Sequence, residues 1–225
     1  MEKQYLMARL VFPQNGLYVI TRDTADHRGE LVKEVAAALR GGAAVIQYRA
    51  KRPLDPLGEA KALLGLCRQA SIPLIINDDL ELAAGIGADG VHLGRDDGSP
   101  AVARQRLGPE AIIGVSCYDS VERAIQAVEE GADYVAFGRF FPSATKPGAP
   151  CAHLETLTLA RQQVRVPLVA IGGITLDNGG TLLAAGADLL AVVEGVFGGD
   201  DPEAAVRGFR DLWVRETAGL GINPS

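Results

Sequence analysis

Short runs of branched apolar residues alternate along this chain with longer segments of helical spacing. Strand-like runs are predicted over residues 16–21, 43–47, 73–77, 90–93, 111–115, 134–138, 167–171 and 189–193. Each is nearly uniformly apolar, as expected for a parallel strand buried on both faces. Between them, apolar positions recur every three or four residues. Leu31, Val35, Ala38 and Leu39 lie on one helical face, as do Val121, Ala124, Ile125 and Val128. Helices are predicted over 31–40, 56–70, 80–86, 100–107, 120–130, 154–164, 178–185 and 202–215. Gly41-Gly42 closes the first, and Pro56 suits the first turn of the second. Eight strand–helix units in strict alternation require parallel strands with helical crossovers. The expected fold is a single-domain α/β protein, a closed (β/α)8 TIM barrel over 16–216. Residues 1–15 form a lead-in, with one helical turn over 5–10 closing the barrel floor, and residues 217–225 a flexible tail. No G-x-G-x-x-G follows the first strand, which argues against a dinucleotide-binding sheet.

One turn recurs. Gly87-Ala88-Asp89, Gly131-Ala132-Asp133 and Gly186-Ala187-Asp188 each precede an even-numbered strand, and Gly41-Gly42-Ala43-Ala44 is a weaker copy. Asp89 and Asp133 stand 44 residues apart, the length of two strand–helix units. The glycine ends a helix in the left-handed region, and the aspartate is expected to bond the local backbone. These turns belong to the N-terminal face of the barrel, where stability is the usual role.

Composition narrows the function. Hydrophobic residues make up 48%, enough for a large core, yet the longest apolar runs are too short for a membrane span. No secretory signal is visible at the N-terminus. The net charge is −6, with no basic stripe, so neither nucleic acid nor a membrane is an expected partner. Cys67, Cys117 and Cys151 form neither a disulfide framework nor a CxxC pair, which suits a cytoplasmic location. His27, His92 and His153 do not cluster, so a zinc site is not expected.

The C-terminal ends of the strands, where barrel active sites lie, carry an unusual inventory. It includes Gln47, Arg49 and Lys51, then Asn77 and Asp78, then Asp96 and Asp97. Further on come Ser116, then Ser143, Thr145 and Lys146, Gly172-Gly173, and Val193-Glu194. Each alone reads as a cap or a solvated surface group, and Asp79 keeps the role of opening the next helix. Together the types are complementary. Asp78 and Asp97 would share one end of neighbouring strands and can hold Mg²⁺, while three cations face a polyphosphate. Gly172-Gly173 before a helix suits a second, separate phosphate. A reaction between a diphosphate and a monophosphate follows. Residues 139–151, rich in proline around Ser-Ala-Thr-Lys, are the longest connection and suit a lid.

The motifs Gln47-Tyr-Arg-Ala-Lys51, Ile76-Asn-Asp78, Val91-His-Leu-Gly-Arg-Asp-Asp97, Gly114-Val-Ser116, Ser143-Ala-Thr-Lys146 and Ile171-Gly-Gly-Ile174 together resemble the thiamine-phosphate synthase family. The resemblance runs from about Gly16 to Phe197 in the family's order. It implies condensation of 4-amino-2-methyl-5-pyrimidinylmethyl diphosphate with 4-methyl-5-(2-phosphoethyl)thiazole, giving thiamine phosphate and diphosphate. It implies that Gln47, Tyr48, Arg49, Ala50, Lys51 and Asn77 contact the pyrimidine diphosphate, and that Asp78 and Asp97 ligate Mg²⁺. Ser116 and Lys146 would contact that substrate or its leaving group, so Arg49, Lys51, Ser116 and Lys146 are the expected catalytic residues. Ser143, Ala144, Thr145, Gly173, Val193 and Glu194 would hold the thiazole phosphate. The implied chemistry is dissociative and needs no nucleophilic side chain.

Ala50 stands where the family often has an acidic residue, Arg95 where glutamine is common, and Glu194 where a small residue is usual. A carboxylate repels phosphate, so Glu194 is expected to offer its backbone and aim its side chain away. The related thiazole tautomerase uses a histidine shortly after the fifth strand. Here that segment reads Ser116-Cys117-Tyr118-Asp119. A sugar-phosphate isomerase has little use for two metal carboxylates, and a non-catalytic phosphate-binding barrel would bind without turnover. A homo-oligomer is compatible with the sequence.

Overall fold

A computed structural model describes residues 10–22, 28–142 and 151–219. Eight parallel strands close into a barrel in chain order: β1 (Gly16–Ile20), β2 (Val45–Tyr48), β3 (Leu74–Asn77), β4 (Gly90–Leu93), β5 (Ile112–Tyr118), β6 (Tyr134–Phe137), β7 (Leu168–Ile171) and β8 (Leu189–Val192). Helices α1 (Arg28–Gly41), α2 (Pro56–Ala70), α3 (Leu80–Ile86), α4 (Pro100–Leu107), α5 (Val121–Glu129), α6 (Leu154–Gln163), α7 (Gly179–Ala184), α8 (Glu194–Phe197) and α9 (Pro202–Gly219) surround it. Among the described residues, no helix is long and apolar enough to cross a membrane.

Local chemistry explains the helix ends. Asp55, Ser99 and Ser120 accept a bond from the backbone N–H three residues on, and Pro56 and Pro100 occupy first turns whose N–H needs no partner. Asp79 caps α3 through Leu82 N at 2.8 Å, the role expected of it.

Strand parity divides the core in two. Leu17, Val19, Ile46, Leu74, Ile76, Val135 and Leu168 pack outward against the helices. Tyr18, Ile20, Val45, Ile75, Ile112, Tyr134, Val169 and Leu189 fill the barrel interior. Phe12, from the lead-in, joins the interior and stacks on Tyr134 at 3.9 Å between ring centroids. The remaining residues predicted to turn there, 5–9, lie outside the described residues.

The repeated turns are stitches between strands. Asp89 N donates to Leu74 O and Asp89 Oδ2 accepts from Leu74 N. Asp133 does the same with Ile113, and Asp188 with Leu168. The carboxylates therefore reach the start of the preceding odd strand rather than bonding locally, as the turn alone would suggest. Arg104 also pairs with Asp133, and Arg161 with Asp188. The glycines take φ of 66°, 98° and 109°, conformations a side chain would resist.

Several boundaries differ from the sequence pattern: α1 begins at Arg28 rather than 31, and α9 runs on to Gly219, past 215 and into the segment expected as tail. β5 continues through Tyr118, with a bulge between Ser116 and Tyr118. α7 spans only six residues, because Asn178 bonds the preceding turn instead of capping the helix. The short α8 follows β8 directly, where the sequence offered only a strand end.

Candidate active site

A cavity of about 470 Å³ opens at the C-terminal mouth of the barrel, within the range of small-molecule sites. Gln47, Arg49, Asn77, Ser116, Gly173, Val193 and Glu194 all line it, although they come from five separate strand ends. Lys51 is exposed beyond β2 and is not part of the wall. Neither is Tyr48, whose hydroxyl donates to Glu59 Oε2 at 2.6 Å in the helix layer, nor Ala50, which packs against the outer core. Ser143, Ala144, Thr145 and Lys146 lie outside the described residues.

Each strand end is fixed by its own device. At β2, the Thr21 hydroxyl donates to Arg49 O at 2.9 Å and accepts from Arg49 N at 2.8 Å, so the chain leaves the barrel along one path. At β3, Asp78 takes φ 63°, a left-handed conformation that aspartate tolerates better than most residues. Asp78 N donates to His92 O at 2.8 Å, holding β3 to β4 past the last strand residue. At β5, Arg123 donates through Nε to Ser116 O at 2.7 Å and through Nη2 to Gly94 O at 3.2 Å. It thereby ties two rim segments together. The guanidinium groups of Arg95 and Arg123 lie 4.8 and 5.8 Å from the centre of the Tyr118 ring.

Asp78 and Asp97 both border Gly94. Asp97 Oδ2 accepts from Gly94 N at 2.7 Å. A Cβ placed on Gly94 would lie 2.5 Å from Asp97 Oδ2 and 3.9 Å from Asp78 Oδ1. Asn77 Nδ2 donates to Asp78 Oδ2 at 2.6 Å, and Asp78 Oδ1 is the carboxylate oxygen near Gly94. Two hard oxygen donors beside a space without a side chain fit Mg²⁺, which takes one or two carboxylates and completes its shell with water and substrate phosphate. Among the described residues no group of three or more His, Cys, Asp or Glu gathers, so this pair is what the protein itself offers.

On the opposite wall, Gly172 and Gly173 have φ of 104° and 64°. A Cβ on Gly172 would meet Arg139 Cβ at 2.2 Å, and one on Gly173 would meet Pro142 O at 2.3 Å. Glycine is therefore required for the turn after β7 to sit against the segment after β6. Phe140 N and Phe141 N donate to Ile171 O and Gly172 O, and Ala152 N donates to Arg139 O at 2.7 Å, so both roots of the 139–151 connection are pinned. Asn178 braces the turn, donating to Gly173 O at 3.0 Å and accepting from Thr175 N at 2.9 Å. Glu194 opens α8 with its carboxylate over Gly198, where Oε2 would lie 3.4 Å from an added Cβ. The carboxylate thus lies against its own helix, and Glu194 is one of the residues that line the cavity.

The floor holds residues that reading the rim alone missed. Tyr18 and His92 line the cavity from below, and Tyr134 lies between them. The available signal was strand parity, since His92 shares the inward phase of its strand with Gly90. Burial pushes the Cys117 thiol up to about 12, which leaves it no role as a nucleophile.

A closed parallel barrel with a largely apolar cavity, edged by polar residues at the carboxyl ends of its strands, has the architecture of a (β/α)8-barrel enzyme. The family pattern described as thiamine monophosphate synthase matches residues 17–196. The chain belongs to that family, and its activity is that of a thiamine-phosphate synthase, a transferase. It is 54% identical over 200 residues to the thiamine-phosphate synthase of Methylococcus capsulatus, covering 88% of this chain and 89% of that one. It is 57% identical over 189 residues to that of an Azoarcus species, covering 83% and 91%. Among solved structures, thiamine phosphate pyrophosphorylase from Pyrococcus furiosus superposes with a TM-score of 0.80 at 35% identity, covering 90% of this chain and 97% of that one.

Proposed function

We propose that the cavity joins 4-amino-2-methyl-5-pyrimidinylmethyl diphosphate to 4-methyl-5-(2-phosphoethyl)thiazole, with Mg²⁺ held by Asp78 and Asp97. The methylene–oxygen bond to the diphosphate breaks and its electron pair leaves with the diphosphate. The thiazole nitrogen lone pair then closes the new carbon–nitrogen bond. The aminopyrimidine ring spreads the developing positive charge, so the protein's task is to orient the two rings and to stabilise the leaving anion. Bound Mg²⁺ would neutralise diphosphate oxygens.

Gln47 and Asn77 hold the pyrimidine end, while Arg49, Lys51, Ser116 and Lys146 take up the departing charge. Tyr48 and Ala50 contribute through backbone, since the Tyr48 side chain is engaged with Glu59. The Gly173 turn, the backbone of Val193 and Glu194, and residues Ser143, Ala144 and Thr145 hold the thiazole phosphate. The apolar wall of Ile20, Val169 and Ile171 suits two flat heterocycles and keeps water from the cation. The enzyme is read as cytoplasmic, with small-molecule partners.

One observation carries the reading: residues from five strand ends, scattered in sequence, line one cavity beside the Asp78–Asp97 pair. Mixing the two phosphorylated precursors with Mg²⁺ and folded protein should release thiamine phosphate and diphosphate in equal amounts. Absence of both products would overturn the assignment, and full turnover in EDTA would remove the metal from it.

A further inference from the structure

Beneath the cavity, five polar side chains from five strands form an unbroken chain across the barrel. Gln47 Nε2 donates to Tyr18 Oη at 2.8 Å. Tyr18 Oη lies 2.8 Å from Tyr134 Oη, and Tyr134 Oη lies 2.9 Å from His92 Nδ1. His92 Nε2 lies 2.9 Å from Ser116 Oγ at the cavity wall. The first four are buried, and among the described residues no buried side-chain nitrogen or oxygen lacks a partner.

Hydrogen counting gives the chain a direction. The Gln47 amide nitrogen can only donate, so Tyr18 accepts there, and its own hydrogen has Tyr134 Oη as its destination. Tyr134 then passes its hydrogen to His92 Nδ1. With Nδ1 accepting, the ring hydrogen sits on Nε2 and is donated to Ser116 Oγ. The serine hydroxyl hydrogen remains for the cavity. With Gln47 Nε2 placed on Tyr18 Oη, the opposite sense would bury the Tyr18 hydrogen without an acceptor, so the way round the Gln47 amide sits sets the direction. Burial raises both phenols well above their ordinary range, so each keeps its hydrogen. At the other end, Gln47 Oε1 is left as the acceptor for a ligand amino group.

We propose that Tyr18, Tyr134 and His92 form a one-directional relay that fixes Ser116 as a hydrogen-bond donor toward the leaving diphosphate, with Tyr134 and His92 acting as positioning residues. The proposal rests on the activity assigned above. It links the end of the site that receives the pyrimidine, at Gln47, with the end that releases the anion, at Ser116. The fold makes room for the link at one point. A Cβ on Gly114 would stand 1.9 Å from Tyr134 Cζ, so the ring crosses β5 only because glycine is there.

The test has a spectroscopic arm and a kinetic arm. Long-range proton–nitrogen correlation on resting ¹⁵N-histidine protein, with His92→Asn for assignment, should show His92 protonated at Nε2 alone. A hydrogen on Nδ1, alone or together with Nε2, would overturn the direction. This spectrum needs no turnover, so failure of the relay and failure of the activity are seen separately. Tyr134→Phe keeps the ring and removes one hydroxyl. It should lower kcat about tenfold, against 10²–10³-fold for losing a donor outright, with KM for the thiazole phosphate within about twofold. In a Ser116→Ala background the same substitution should cost nothing further, whereas an additive loss would mark it as merely structural. Tyr18→Phe gives a second route into the relay, and unchanged kcat in both phenylalanine variants would sink the proposal.

Discussion

The two ends of this barrel solve opposite problems with the same residue type. At the N-terminal floor, Asp89, Asp133 and Asp188 each grip the start of a neighbouring strand in the same two-bond pattern. At the C-terminal rim no pattern repeats. Asp78 turns left-handed beside Gly94, Asp97 bonds Gly94 N, and Asp119 accepts from His153 and Thr156. A repeated carboxylate serves the backbone, which is the same at every strand. At the rim each carboxylate instead answers to its own neighbours, backbone and side chain together.

That contrast can be broken by exchange of roles, and the largest effect should come from the rim. Asp97→Ala or Asp78→Ala should lower kcat by about 10²–10³-fold while leaving the melting temperature nearly unchanged. A collapse in stability with activity per folded molecule intact would reverse the assignment. Asp133→Ala should do the converse. It strands Ile113 N and removes the carboxylate partner of Arg104, which keeps its backbone acceptors, so about 1–3 kcal/mol of stability should go, seen as a melting point lower by several degrees. Turnover of the remaining folded protein should match wild type.

pH sharpens the comparison further, because the two ends carry opposite signs. Burial raises the Asp188 pKa, even though Leu168 N and Arg161 pull it down. The stability it contributes is complete below the unfolded carboxylate pKa and is lost as pH rises through the folded value. Asp119 is lowered: burial opposes this, but bonds from Thr156 and His153 prevail. Its contribution is complete above the unfolded pKa of about 3.9 and is lost as pH falls through the folded one. His153 is raised by the Asp119 bond, so its share is complete below about 6.5 and is lost on the alkaline side. Urea midpoints of wild type minus Asp119→Asn should therefore peak between those two values, whereas wild type minus Asp188→Asn should only decline as pH rises. Parallel curves would erase the distinction between the two ends. The smallest effect belongs to Glu194→Ala. With the carboxylate lying over Gly198, KM for the thiazole phosphate should move less than about twofold. A fall of tenfold would show that the charge does face the phosphate.

Much of this was legible in the chain. Parallel strands buried on both faces write themselves as branched apolar runs, and crossover helices as a period near 3.6, so the barrel and its order followed directly. The rim was legible because strand ends are where polar residues interrupt those runs. Gln47, Arg49, Asn77, Ser116 and Gly173 were named that way and meet in one cavity. The floor relay was not named, because Tyr18, Tyr134 and His92 sit inside apolar runs and look like core until parity is applied. Their meaning depends on four long-range bonds that no local pattern encodes. α8 escaped for the converse reason, being too short to show a period. The side chains of Tyr48 and Ala50 part from the site because neighbours on a strand point to opposite faces.

The floor stitch has a gap. Ala44 N donates to Leu17 O, as Asp89 N does to Leu74 O, but an alanine side chain cannot return the bond. Gly16 presses against it instead, where an added Cβ would lie 2.8 Å away. Three of the four odd strands are thus latched and β1 is not. In amide exchange against heavy water, the ring should open first between β1 and β2, and the latched amides of Leu74, Ile113 and Leu168 should be among the last to be released. A circular permutant with new ends at the turn before β2 would cut where the ring is already weakest, and should fold more readily than one cut at Asp133.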